Sequence, residues 1–156
     1  ALALFIAPNF ARSHHAPSRT NFPSLALAQA AQASWQENAT TPLRLVIGDI
    51  WTSGNIVAHW KGPPPAVLVD ALPDRAPWIP KDAVRRCGAL VVFDASPDAG
   101  SDPDVQAALQ HYLDQADVVD DWELPWPGDK PPPDGPLRSW IQWGVILPEA
   151  GATCPL

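Results

Sequence analysis

Short apolar runs alternate along this chain with longer stretches of helical periodicity. Leu43 to Ile47, Ala66 to Val69 and Ala89 to Phe93 are the runs, a pattern that fits strands buried on both faces. Leu25, Leu27, Ala28, Ala31 and Trp35 recur at helical spacing with alanine between them, and Pro23 suits a first helical turn. They predict a helix ending near Asn38. Thr52 or Ser53 is placed to cap a short helix through Trp60. Pro80 to Arg86 is predicted as another, stopped by Gly88. Pro103 opens a helix through Ala116, with Val105, Leu109, Tyr112 and Leu113 on its apolar stripe. Val118 and Val119 then lead into Trp122 and Leu124. Arg138 to Leu147 reads as a last strand, with Trp140, Gln142, Gly144 and Ile146 on one face.

Apolar strands separated by helices imply βαβ units. The expected fold class is α/β: a three-layer, largely parallel, Rossmann-like sheet of about five strands. An antiparallel C-terminal hairpin is expected at one edge, and helices on both faces. Residues 19–150 form the single α/β domain, residues 1–18 a stub and polar connector, and residues 151–156 a tail. The stub, Ala1 to Ala7, is apolar and stops at Pro8, well short of the roughly 20 residues that cross a bilayer. It is either a short buried strand or arm, or the end of a membrane helix that begins outside this sequence. Pro125 to Pro136 is a hinge-like loop rich in Pro, Gly and Asp.

Composition narrows the function. The chain has 156 residues, which suits one domain, and 20 prolines, which confine regular elements to the proline-poor windows. It has no methionine, which suits a piece of a larger protein. A net charge of −7 argues against a nucleic-acid partner. Lys81, Arg85 and Arg86 are the nearest thing to a basic patch and read as a solvated helix face. The two cysteines, Cys87 and Cys154, lack metal-site spacing. Either both are free and buried, or they pair and pin the tail.

Each inner strand ends in, or one residue before, an aspartate: Asp49, Asp70 and Asp94. Ligands of open α/β sheets bind at the carboxyl edge, where such carboxylates could act as acid and base or hold a cation. The alternative is that each closes a turn or caps a helix. Trp51, Trp60 and Trp78 fall in or near the same loops. Packing is the expectation for Trp60 and Trp78, while Trp51 is left open to a ligand. Asp49, Trp51, Asn55, Asp70, Trp78 and Asp94 are the candidate ligand-binding residues. No catalytic or metal-ligating set is assigned. Gly48 to Gly54 lacks a phosphate-loop pattern, and no cofactor motif is present. His14, His15, His59 and His111 are scattered, with no metalloprotease or hydrolase signature.

Several segments occur in a familiar order. They are Arg19-Thr20-Asn21-Phe22-Pro23, Trp35, Pro42 to Asp49, Gly54-Asn55-Ile56-Val57, Ala76-Pro77-Trp78-Ile79 and Arg85 to Val92, resuming at Trp143 to Pro148. This series resembles the soluble C-terminal region of bacterial membrane glycosyltransferases related to dolichyl-phosphate-mannose-protein mannosyltransferases and the aminoarabinose transferase. The chain departs from that pattern at Cys87 and in the Cys154 tail. The resemblance implies a parent with many membrane helices that transfers a sugar from a polyprenyl-phosphate donor. The parent's catalytic carboxylates would lie outside this sequence. The chain would then be a non-catalytic accessory domain at the periplasmic face of the inner membrane, structural or acceptor-binding. Its partners would be the membrane portion of its parent and a glycan or lipid-linked acceptor. In that setting the stub becomes membrane-proximal, and an oxidising periplasm agrees with a Cys87–Cys154 bridge. The rival reading is a free-standing doubly wound domain that binds a small ligand, or an enzyme using the carboxylates at the sheet's carboxyl edge.

Overall fold

The structure is a computed structural model that describes residues 22–96, 102–126 and 138–156. The apolar stub, the connector with His14 and His15, and most of the proline-rich loop after Pro125 lie outside the described residues. The described elements run α1 (Ser24–Asn38), β1 (Leu45–Gly48), α2 (Ile50–Ala58), β2 (Ala66–Val69), a 3₁₀ turn (Pro73–Arg75), α3 (Ala83–Cys87), β3 (Ala89–Asp94), α4 (Pro103–Leu113), β4 (Val118–Pro125) and β5 (Arg138–Ile146). The fold is α/β.

The five strands form one sheet in the order β2-β1-β3-β5-β4. β1 pairs parallel with β2 and with β3, whereas β3–β5 and β5–β4 pair antiparallel. Half of the pairings are therefore antiparallel, so the sheet is mixed rather than largely parallel, with the expected antiparallel C-terminal pair at one edge. The C-terminal pair extends the sheet beyond β3 with 8 and 9 residues, against 4 in each of β1 and β2.

Alternation along the strands divides the core. Leu45, Ile47, Ala89, Val91 and Phe93 join one cluster with Ala83 and Cys87 of α3 and Val105, Leu109 and Leu113 of α4. Val46, Leu90 and Val92, with Ile141, Trp143 and Val145 of β5, join the other, with Leu27, Ala31 and Trp35 of α1 and Ile56 of α2. The chain moves from β1 to β2 in one direction and from β2 across β1 to β3 in the other. Crossovers of one hand then bring α2 and α3 to opposite faces.

Several boundaries differ from the sequence expectation, each for a local reason. β1 starts at Leu45 and includes Gly48, which pairs with both Val69 and Val92. α2 stops at Ala58, because His59 and Trp60 donate to the carbonyls three residues back, which tightens the last turn. α4 ends at Leu113 in the same way, through Gln115 and Ala116. α3 begins only at Ala83, since Pro80 accepts from the Ala83 amide in a turn of its own. Lys81 is thus off the helix, and Arg85 and Arg86 are ion-paired, to Glu149 and Asp82. Gly88 ends α3 at φ 69°, and a Cβ there would stand 2.6 Å from the Ile146 carbonyl oxygen. Only glycine fits that turn.

Cys87 and Cys154 are joined by a disulfide across 67 residues of sequence. The bond attaches the tail to the amino edge of the sheet, where Cys154 and Leu156 pack against the α3–α4 cluster.

Candidate functional site

The carboxyl ends of β1, β2 and β3 lie side by side at one edge of the sheet, around the point where the strand order reverses. Asp49 follows β1 and is the N-cap of α2. Its Oδ1 accepts from the amides of Trp51 (3.0 Å) and Thr52 (2.8 Å). The expectation that Thr52 or Ser53 caps this helix is thereby corrected. Asp49 meets the first free amides, and Thr52 and Ser53 are fully buried one turn inside. Asp49 Oδ2 is buried and accepts from no described donor.

Asp70 follows β2. It and Ala71 have φ of 56° and 57°, and the turn closes with the Leu72 amide on the Val69 carbonyl at 3.1 Å. Two successive left-handed residues make this a type I′ turn. Without glycine such residues strain the backbone by roughly 1–2 kcal/mol each. Asp70 holds the turn in place. Its Oδ1 accepts from the Ile50 amide at 3.2 Å, and its Oδ2 is ion-paired with Arg75. Asp94 ends β3 in an Asx-turn, accepting from the Ser96 amide at 2.9 Å. The Ser96 hydroxyl in turn accepts from the Trp140 amide at 3.1 Å, tying this end of β3 to β5.

Of the six candidate residues, Asp49 and Asp70 are joined through Ile50. Asp94 belongs to the neighbouring β3–β5 side. Asn55 donates to the Trp51 carbonyl one turn back at 2.8 Å. Trp51 is half-buried and packs edge-on against Phe22, with ring centroids 5.7 Å apart. Trp60 packs against the α1–α2 cluster as expected. Trp78 does not pack: it is 66% exposed. Among the described residues, no three His, Cys, Asp or Glu side chains gather to share a metal ion.

Sequence reasoning missed Arg75 and a second aromatic group. Phe22 meets Trp126 edge-on at 5.5 Å, and the Trp126 indole donates to Ser139 Oγ at 3.1 Å. Phe22 and Trp126, with Leu25, Ser24, Gln29 and His59, wall a cavity of about 620 Å³. Phe22 and Trp126 are 104 residues apart in sequence. No periodicity links them, so only the fold could reveal the pairing.

In comparison with known proteins, the chain matches no family model, no curated protein and no solved structure.

Proposed function

We propose that this chain is an extracytoplasmic accessory domain of a polyprenyl-phosphate-sugar-dependent membrane glycosyltransferase. It would be tethered through its parent to the periplasmic face of a bacterial inner membrane. It is non-catalytic alone, and its role is structural or acceptor-binding. The observation that carries this reading is the use of the edge carboxylates. Asp49, Asp70 and Asp94 all accept hydrogen bonds from neighbouring backbone amides. A general acid or base needs a face open to the reacting group; each of these side chains holds a loop or helix start through at least one oxygen, and the unpartnered Asp49 Oδ2 is buried. The disulfide is in keeping with an oxidising compartment. The half-buried ring of Trp126, beside the cavity, suits stacking on sugar C–H groups. The finer fold reading, a three-layer Rossmann-like domain, belongs to the same proposal and draws support from the two core clusters.

The full reading frame and its product test the proposal. About eight or more apolar spans ahead of this domain are expected. Membranes holding the whole protein should transfer labelled sugar from a polyprenyl-phosphate donor, while the purified domain alone should not. A frame with no membrane spans, or sugar transfer by the isolated domain, would sink the proposal. The rival, a ligand-binding domain or enzyme at the carboxyl edge, has the unpartnered Asp49 Oδ2 in its favour.

A further inference from the structure

A second cavity, of about 490 Å³, lies at the opposite, amino edge of the sheet. One wall is the chain entering β1, with Thr41 and Arg44. Another is the end of α3, with Arg86 and Cys87. The tail from Pro148 to Cys154 supplies the rest. The chain as a whole is acidic, at −7, but the charged side chains that line this cavity are Arg44, Arg86 and Glu149. Glu149 is held by Arg85 at 2.6 Å, and Asp82 meets a single nitrogen of Arg86 at 3.1 Å. Arg44 has no ion pair among the described residues. Two guanidinium groups with donors to spare therefore border the cavity from two walls, Arg44 exposed and Arg86 half-buried. Guanidinium forks match the oxygens of phosphate and carboxylate.

We infer that this cavity binds a small solute through a phosphate or carboxylate group, and that the Cys87–Cys154 bond keeps the site formed. The second half follows from what fixes the tail. Besides the disulfide, the tail is held by the Arg85–Glu149 pair, by the Glu149 amide on the Arg85 carbonyl at 3.0 Å and by Leu156 packed against the α3–α4 cluster. An exposed ion pair contributes at most about 1 kcal/mol. The disulfide is the covalent tether between the tail and α3, so cutting it leaves the wall that completes the cavity on non-covalent contacts alone.

The test uses the oxidised protein with inorganic phosphate and acetate as probes, at ionic strength held constant with sodium chloride. Amide chemical shifts are followed by NMR. Saturable binding in the millimolar range is expected, with the larger shifts around Arg44, Arg86 and Thr153. The stronger of the two probes identifies the preferred oxyanion. Arg44→Gln and Arg86→Gln should each weaken binding about fivefold or more. Arg138→Gln, the same charge change at the far edge, should leave it unaltered. Linear, chloride-like responses, or an equal loss in Arg138→Gln, would overturn the site. The coupling is read on the unaltered protein. Saturating phosphate should raise the oxidised fraction of the Cys87–Cys154 pair at equilibrium in a dithiol/disulfide buffer, because a ligand that binds only the bridged form stabilises it by mass action. An oxidised fraction unchanged by saturating phosphate overturns the coupling.

Discussion

Asp49 connects sheet and helix through a single oxygen. Its Oδ1 satisfies two of the amides that the start of α2 leaves open. Asp49→Ala should therefore destabilise the domain by about 1–2 kcal/mol, read as a lower urea midpoint at unchanged slope. The residue before it has a different constraint. A Cβ on Gly48 would lie 2.5 Å from the Val92 carbonyl oxygen and 3.2 Å from Ser53 Cβ. Backbone cannot give way as a flexible side chain can, so this glycine sets how closely α2 sits over β1 and β3. The three edge aspartates were legible in the sequence because each follows an apolar run. Their partners were not. The Ile50 amide reaches Asp70 from 20 residues away, and Trp140 bonds Ser96 across 44. Asp49 and Thr52 are both good caps, and the choice between them depends on where β1 stops. That is a property of its pairing with two other strands.

Among the elements, strands were the easiest to read and helix ends the hardest. An apolar run such as Ala66–Val69 has few other destinations than a buried strand. Helix ends depend on single bonds to the third or fourth carbonyl back, and local sequence decides these poorly. Strand order was out of reach, because the β3–β5 pairing joins segments separated by the whole of α4 and β4. α4 carries a titration of its own. Burial pushes the Tyr112 hydroxyl above its ordinary value of 10.0. The folded state therefore disfavours the phenolate. Stability from this group is complete below the unfolded value of about 10 and falls as pH rises through the folded value. Urea midpoints taken near pH ~8 and ~11 should show a drop in the parent protein that Tyr112→Phe reduces.

At the scale of the whole molecule, the disulfide joins the C-terminal tail to the end of α3. Cys87→Ser with Cys154→Ser should lower unfolding free energy by about 4 kcal/mol, measured by guanidinium titration of the oxidised parent against the variant. The unfolded, unreduced parent should yield no reactive thiol. The two cavities lie at opposite ends of the strands, so a ligand in one leaves the other open.

The order of the strands also governs how this protein behaves in company. β4 forms one rim of the sheet, and its exposed positions include Asp120, Asp121 and Glu123, with Pro125 at its end. The other rim, β2, is only four residues long. A rim with unpaired backbone invites a strand from another chain. Acidic side chains repel an identical copy, and proline and short length limit the ladder it could build. Both rims thus discourage the sheet from growing from one molecule into the next, so the domain can be crowded without its sheets fusing.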